Sequence, residues 1–406
     1  MRRQGPVGHV DADAFYVSAE RVRYAHLADM PVGVLGNQGA CVIAKSYEMK
    51  ARGVTTGMPI WDAQRVCPDG LYVKRDFRWY EVLSRMMLET VRDLSPRVEY
   101  YSIDEFFFDA SVAPAGDYQA YAVIVRDRIM ECVHVPVTVG IARTRTLAKL
   151  ISDAAKPFGA MAILDRGTEE SLLAAHPVTD VTGIAGRREK RLVPWDIRTC
   201  LDLAHADRRL VRQLLTASGE ALWWELNGDP VLPIRTQRMP HKVLSRGGSF
   251  GEPTDVPSVL WAWLVRNLER LIEELVYHHV LTGRIAVWVG YRDGRAGEGR
   301  ASLPVPTNRF DVLLDTYRPC LRRAWLPRTL ASRMHLFAEG LTPDAPRQLS
   351  LFDRDDDDAA AAVKQAINER HGRFALRSAA TLPLKPIYAD GANAYDICDV
   401  HGKMCF

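Results

Sequence analysis

The chain has 406 residues, of which 47% are hydrophobic and 25% are charged. This length exceeds what one ordinary core accommodates, so we expect several domains. No apolar run approaches the roughly 18 residues that a membrane span needs. The seven cysteines are scattered without a CxxC pair, which argues against a disulfide framework. Because the first ten residues lack a secretory signal, we expect a cytoplasmic protein without membrane contact.

The net charge of +3 is too small to identify a partner, but its distribution is uneven. Arginine and lysine dominate between Arg235 and Arg333, whereas residues 355–358 are all acidic. A basic region of this size is typical of a surface that faces nucleic acid.

The first elements in chain order bring acids to the end of a strand. Residues 7–13 have the pattern of a short buried strand, and 14–24 have helical apolar spacing. Residues 31–57 form a lobe of short strands interrupted by glycines, with one basic helical turn. An amphipathic helix is predicted over 77–94, and 98–109 reads as a strand pair with acids at its turn.

The rest of the chain alternates helices and strands in two further regions. Helix 118–132, strand 135–141 and basic helix 145–156 complete a mixed α/β region, and short helices follow as far as residue 228. Pro230, Pro233 and Pro240 then indicate a linker between this region and the next. Residues 241–340 have the strand and helix pattern of a separate basic α/β unit, and the tail beyond contains an alanine-rich helix.

The acids of the first strand and of the predicted hairpin turn suggest a metal site. Asp11 ends one strand, while Asp104 and Glu105 lie between two others. Carboxylates in this arrangement can hold two hard cations, which suits phosphoryl transfer. The alternative for either motif alone is structural: Asp13 as a helix N-cap and the other two as solvated turn acids.

Four segments that carry these residues resemble the Y-family DNA polymerases in sequence and in order. They are DADAFYVSAE (11–20), NQGACVIAKSYEMKARGVTTGMP (37–59), SPRVEYYSIDEFFFD (95–109) and VTVGIARTRTLAKLISDAAKPFG (137–159). The likeness continues through SRGGSFGEP (245–253) and is greatest to the branch that contains the catalytic subunit of bacterial DNA polymerase V.

The resemblance implies an α/β multidomain fold, a right-hand polymerase with palm, small fingers, helix-hairpin-helix thumb and α/β little-finger domain. It implies template-directed, low-fidelity synthesis past damaged bases with primer-template DNA and deoxynucleoside triphosphates, as in DNA repair of the SOS type. The boundaries expected are palm 1–24 and 73–165, fingers 25–72, thumb 166–232, linker 233–239, little finger 240–340 and tail 341–406.

The same resemblance assigns residues to the reaction centre. Asp11, Asp104 and Glu105 are the expected catalytic metal carboxylates, and the Ala12 carbonyl is a further metal ligand. Two Mg²⁺ ions are the expected cofactor, with Mn²⁺ as a substitute. The reaction would be attack of a primer 3′-hydroxyl on the α-phosphate, with release of pyrophosphate.

The expected nucleotide-binding residues are Phe15, Tyr16, Tyr47, Lys50 and Lys156. The Tyr16 ring would be the steric gate, because a bulky ring under the sugar excludes a 2′-hydroxyl. The alternative is that both aromatic residues lie on the buried face of an amphipathic helix and belong to the hydrophobic core. Many relatives have arginine in place of Lys50 and a hydroxyl residue in place of Ala44, so bidentate phosphate contact is in doubt here.

DNA contacts are expected in the thumb and in the little finger. TGIAGRREKRL (182–192) resembles the family's helix-hairpin-helix, which makes Gly183, Ala185, Arg187 and Arg188 DNA-binding candidates, together with Arg246. Alanine replaces the second hairpin glycine. If this position requires a positive φ, Ala185 is strained and the grip on DNA is weaker.

The tail contains QLSLF, which resembles the peptide by which bacterial polymerases bind the β sliding clamp. Exposed apolar residues in a polar tail usually indicate a partner. The resemblance to polymerase V also implies an accessory dimer and a recombinase filament as partners, and a nucleoid-associated location. The expected clamp-binding residues are Gln348, Leu349, Leu351 and Phe352.

Two other functions are compatible with parts of the sequence. A polymerase-like scaffold could keep the fold and the clamp peptide without catalysis, but all three carboxylates are present. A nucleotide cyclase also uses paired metals on acidic strand ends, yet it has no use for the basic second half or for a clamp peptide. Primer extension separates these alternatives.

Overall fold

The structure is a computed structural model that describes residues 5–36, 41–237, 240–344, 356–372 and 374–389. The chain divides into two units, Met1–Arg238 and Met239–Phe406. The helices and strands of the first unit are β1 (Val7–Ala12), α1 (Phe15–Arg23), β2 (Val32–Leu35), β3 (Val42–Lys45), α2 (Tyr47–Ala51), α3 (Ile60–Val66), β4 (Leu71–Lys74), α4 (Phe77–Leu94), β5 (Val98–Tyr100), β6 (Glu105–Asp109), α5 (Tyr118–Val133), β7 (Val137–Ala142), α6 (Arg145–Ala154), β8 (Ala160–Ile163), α7 (Arg166–Ala175), α8 (Gly186–Leu192), α9 (Cys200–His205) and α10 (Arg208–Leu226).

A five-stranded sheet with the order β5-β6-β1-β7-β8 forms the centre of this unit. β1 lies between two antiparallel neighbours, and every residue of it is buried. Helices α1, α4 and α5 pack on one face, where Val10 and Ala12 point, while α6 covers the other. Since side chains alternate along a strand, His9 and Asp11 point toward α6. This alternation aims one acid of β1 at the basic helix.

Two smaller regions complete the first unit. The three-stranded sheet β3-β2-β4 encloses its own core with α2 and α3, around Val42 and Met49. Helices α7 to α10 share a core with α6. The buried Glu225 of α10 accepts hydrogen bonds from the Thr146 backbone at 3.0 Å and from the backbone N–H groups of Val231 and Leu232, both at 2.8 Å. These bonds fix the chain where it leaves the helices.

The start of the expected linker is held against the first unit. The Arg235 backbone N–H donates to Glu99 at 2.8 Å, and the guanidinium of Arg145 pairs with the same carboxylate at 2.6 Å. Residues 233–235 are therefore anchored, and a free linker would begin after them.

The second unit is an antiparallel sheet with the order β11-β10-β12-β9. Helices α11 and α12 cover one of its faces. The element order agrees with the strands and helices predicted for 241–340. Its helices and strands are β9 (Val243–Thr254), α11 (Pro257–Tyr277), β10 (Val280–Tyr291), β11 (Ala296–Thr307), α12 (Phe310–Ala324), β12 (Ala331–Pro343), α13 (Asp356–His371) and α14 (Lys385–Ala389).

The C-terminal helices pack on α11, which the sequence did not predict. Leu384 is buried in the core of the second unit, and Tyr388 packs against that core. The carboxylate of Glu269, on α11, accepts from the Lys364 amino group at 2.5 Å and from the Ser378 backbone at 3.0 Å. The predicted alanine-rich helix is present as α13 and belongs to the folded unit. Among the described residues, no helix is long and apolar enough to span a membrane.

Candidate active site

The three predicted metal carboxylates come from adjacent strands. Asp11 lies opposite Glu105 in the antiparallel register of β1 and β6. Asp104 immediately precedes β6, and its carbonyl accepts from the Ala12 backbone at 2.9 Å. Pairing of the two strands therefore brings acids that are more than 90 residues apart to one end of the sheet. Asp11 is buried and the other two are partly buried, so they are not solvated turn acids.

Two lysines of the α6 region neutralise part of this charge. The Lys156 amino group lies 2.7 Å from Asp11 and 2.9 Å from Asp153. The Lys149 amino group pairs with Glu105 and lies 3.8 Å from Asp11. Lys156 was expected near the nucleotide, whereas Lys149 was not identified from the sequence. Its position in the pattern TLAKLI, about one turn into α6, indicated only one face of an amphipathic helix.

Burial disfavours the charged carboxylates. It raises the pKa of Asp104, and the charge of Asp11 adds to the rise while a hydrogen bond from Ser102 opposes it. Burial also raises the pKa of Glu105 to about 7, against the effect of Lys149. For both carboxyls burial outweighs the opposing effect of Lys149 on the pKa. Such a site gains from additional positive charge.

The ligand chemistry of this cluster fits hard divalent cations. All three side chains offer carboxylate oxygens, which Mg²⁺ prefers, and the Lys149 ammonium already bridges two of them. Within the described ranges, no three acidic, His or Cys side chains converge closely enough to hold an ion as they stand. Lysine amino groups occupy the space between the carboxylates instead.

Asp13 ties three segments together rather than capping α1. Ala14 is the N-cap of that helix, with a φ of 45° and no side-chain bond. The buried Asp13 carboxylate accepts from the Thr138 hydroxyl at 3.0 and 3.1 Å and from the Phe158 backbone at 2.8 Å. The Tyr47 hydroxyl donates to it at 3.3 Å. Asp13 therefore connects the five-stranded sheet to the segment that carries Lys156 and to α2.

The aromatic pair divides between the core and the site. Phe15 is only 3% exposed and lies within the core. Tyr16 is partly buried and stacks on Tyr80, with ring centroids 4.7 Å apart. Burial raises the pKa of Tyr16 to about 12, and the charge of Asp104 adds to the rise. The Tyr16 ring is therefore the member of the pair that lies within electrostatic reach of the carboxylates.

The lobe around α2 presents an aromatic ring and cations. Tyr47 is 37% exposed and Lys50 is exposed. Lys45 was missed by sequence reasoning: the positive charge of Lys50 contributes to its lowered pKa, behind burial, and its amino group donates to Thr56 at 2.8 Å. Arg52, which follows α2, pairs with Asp69.

The predicted hairpin of the α7–α10 region forms without strain at the substituted position. Gly183 has a φ of +98°, whereas Ala185 has a φ of −104° and is the N-cap of α8. The concern about Ala185 is therefore removed, because the position does not require a positive φ. Arg187 is exposed, while Arg188 donates to the Gly183 carbonyl at 3.0 Å and to Ser218 at 2.9 Å.

In the second unit Arg246 pairs with Glu274 of α11, so its side chain lies on the helix-covered face of the sheet. The opposite face exposes other basic residues. Arg333, on β12, lies over the Trp288 ring of β10 at 5.4 Å. One exposed arginine from each of β10, β11 and β12 lies on this face, and Arg300 pairs with Glu298 of the same strand; the three are Arg284, Arg300 and Arg333.

The predicted clamp-binding residues lie outside the described residues. They are Gln348, Leu349, Leu351 and Phe352.

Comparisons with known proteins agree on one family. Residues 10–153 match the impB/mucB/samB family and residues 241–351 match its C-terminal domain. DNA polymerase IV of Alkalilimnicola ehrlichii is 30% identical over 86% of this chain and 99% of its own length. Protein UmuC of Salmonella typhimurium is 29% identical over 90% and 91%.

Solved structures show the same fold. A Y-family DNA polymerase chimera of Dbh and Dpo4 has a TM-score of 0.72 and 22% identity, and the match covers 83% of this chain and 99% of the chimera. A ternary complex of the Dbh DNA polymerase has a TM-score of 0.55, 21% identity and the same coverage. The architecture expected from the resemblance, with palm, fingers, thumb and little finger, is thereby confirmed.

Proposed function

Since the chain belongs to the impB/mucB/samB family of Y-family DNA polymerases, we propose that it extends a primer on damaged templates with Asp11, Asp104 and Glu105 at the reaction centre. The observation that carries this proposal is the register that sets Asp11 opposite Glu105 and next to Asp104. A scaffold without catalysis would have no need for three partly desolvated carboxylates at one place.

Divalent cations are the cofactor that the family implies, and we propose Mg²⁺, with Mn²⁺ as a substitute. Asp11, Asp104 and Glu105 would hold them, together with the Ala12 carbonyl. When bound, a pair of such cations activates the primer 3′-hydroxyl and stabilises the leaving oxygen of an in-line displacement. The chain's own residues position the substrates for this reaction.

The nucleotide would lie between α2 and the carboxylates. Lys50, Tyr47 and Lys156 supply cations and a donor for the triphosphate, and the exposure of the first two leaves them accessible. Lys45, beside Lys50, adds positive charge at the same place. Tyr16 would exclude a 2′-hydroxyl, since Tyr80 stacks against its ring and limits its movement. Phe15 supports this pair from the core.

We assign the domains to these regions. The palm is 1–24 and 73–165, the fingers 25–72, the thumb 166–232 and the little finger 240–340. Residues 233–239 remain the proposed linker, with its first residues anchored at Glu99. The thumb hairpin would bind DNA phosphates through the backbone of Gly183 and Ala185 and through Arg187, while Arg188 braces the hairpin.

Primer-template DNA is the proposed partner of the second unit as well. The open face of its sheet carries Arg284, Arg300 and Arg333, which suit phosphate contacts. Arg246, the candidate from the sequence, would act indirectly through its pairing with Glu274. The β sliding clamp would bind at 348–352. An accessory dimer, a recombinase filament and a cytoplasmic, nucleoid-associated location complete the proposal.

Primer extension by the purified chain tests the proposed reaction. The wild-type chain should add deoxynucleotides opposite a template and across an abasic site when Mg²⁺ is present. Asp104→Ala should abolish extension while leaving DNA binding intact, because the substitution removes a cation ligand and not a DNA contact. Asp127→Ala, an exposed acid on α5, is the matched control. Extension by the Asp104 variant at the wild-type rate would refute the assignment.

A further inference from the structure

The Lys149 ammonium occupies a position that the reaction described above does not explain. It pairs with Glu105, lies 3.8 Å from Asp11, and is 4.0 Å from Asp153 on its own helix. Its side chain is 14% exposed, half as much as that of Lys156 at 27%. Lys149 is thus the more enclosed of the two cations in the carboxylate cluster.

The backbone that carries Lys149 is fixed against β1. The Ser152 hydroxyl donates to the Lys149 carbonyl at 2.8 Å and lies 2.7 Å from the Nδ1 atom of the buried His9. Gly140 of β7 allows this close approach of α6, because a Cβ there would lie 2.4 Å from the Ala148 carbonyl. The α6 backbone at Lys149 is therefore packed closely against β1 and β7.

The charges of the cluster determine when a divalent cation can enter. Four carboxylates, those of Asp11, Asp104, Glu105 and Asp153, share the two ammonium groups of Lys149 and Lys156, so acids outnumber cations in the cluster. A cation that binds between Asp11 and Glu105 must approach an ammonium at roughly 4 Å, where repulsion in a partly buried site is strong. An incoming triphosphate adds several negative charges, which offset the positive charge of Lys149 and can also draw Lys156 away from Asp11.

We propose that Lys149 is a built-in counter-ion that keeps the affinity of the carboxylates for divalent cations low until a nucleotide arrives. Lys149 holds Glu105 and Asp11 together in the cation-free protein. Metal loading and nucleotide binding are thereby coupled. This inference rests on the metal assignment proposed above, and it makes Lys149 a positioning residue rather than a catalytic one.

Mn²⁺ binding to the full chain without DNA, measured by electron paramagnetic resonance, tests this role. Lys149→Met keeps most of the side-chain volume and removes the charge, so it should bind Mn²⁺ about tenfold more tightly than the wild type. Lys149→Arg keeps the charge and should remain close to the wild type. Lys190→Met, an exposed lysine of α8, is the matched control and should change nothing.

The second measurement repeats the titration with a non-hydrolysable deoxynucleoside triphosphate analogue. The analogue should tighten Mn²⁺ binding more in the wild type than in Lys149→Met, because the variant already lacks the repulsion between Mn²⁺ and the Lys149 ammonium. Unchanged or weaker Mn²⁺ binding by a Lys149→Met protein with wild-type thermal unfolding in EDTA would overturn the proposal and leave Lys149 as a structural brace.

A further variant separates this inference from the proposed function. Asp11→Asn should abolish the Mn²⁺ binding that Lys149→Met tightens. If Asp11→Asn and Asp104→Asn both leave Mn²⁺ binding intact, the metal assignment fails, and the Lys149 inference fails with it. If Asp11→Asn and Asp104→Asn lose Mn²⁺ binding while Lys149→Met binds Mn²⁺ with the wild-type affinity, the metal assignment stands and the counter-ion role is refuted.

Discussion

The hydrogen bond between Thr138 and Asp13 allows a quantitative test of how the site is held. Thr138 is fully buried on β7, and its hydroxyl donates to both carboxylate oxygens of Asp13. Thr138→Val preserves the shape and removes the donor. A hydrogen bond to a buried charge contributes about 1.5–3 kcal/mol, and the Gly159 backbone also loses a weak acceptor at 3.4 Å. We expect a loss of roughly 2 kcal/mol in the free energy of unfolding.

Equilibrium urea unfolding of the full chain is the assay, with Asp13→Asn and the double variant completing a cycle. Because the two side chains are in contact, the cycle should give a coupling energy above about 1 kcal/mol. Thr90→Val is the matched control, since its buried hydroxyl donates only to the neutral Met86 carbonyl of the same helix. Additive effects of Thr138→Val and Asp13→Asn would refute the assigned bond energy.

Three other perturbations test separate parts of the structure. Tyr16→Ala should admit ribonucleotides in a primer-extension assay, and unchanged sugar selection would remove the ring from its assigned role. Burial holds the pKa of His9 well below 6.5, so the unfolded chain binds a proton there that the folded chain does not. Stability should therefore fall as the pH drops below about 6.5, by up to about 1.4 kcal/mol per pH unit. His9→Gln should flatten that slope in urea titrations at several pH values, and an unaltered slope would contradict the burial argument. Deleting residues 348–352 should leave basal extension intact and abolish stimulation by the β clamp, whereas equal stimulation would show that the clamp binds elsewhere.

Strand and helix order could be predicted because the local patterns agree with the tertiary environment. The amphipathic spacing of 77–94 coincides with α4, and of the two acids at the turn of 98–109, Asp104 lies between β5 and β6 while Glu105 begins β6. The convergence of Asp11 with Glu105 was inferred from the motifs, and the strand register then provides the reason for it.

The features that were missed depend on contacts between distant segments. Nothing near Thr138 or Lys149 in the sequence indicates that each would reach a carboxylate from another strand, because their own elements look like ordinary buried strand and helix. The direction of Arg246 likewise depends on which face of the sheet α11 covers. Whether the position of Ala185 requires a positive φ was left open by the sequence, and the backbone shows that it does not, since the positive φ of the hairpin is at Gly183.

The packing of the C-terminal helices on α11 has a practical consequence for work with shortened proteins. The family match ends at residue 351, a natural place to cut the chain. Such a cut would strip Leu384 from the core and leave the buried Glu269 carboxylate without Lys364. A version ending there should expose an apolar helix surface and tend to aggregate, so loss of activity on truncation would not by itself identify a lost clamp contact.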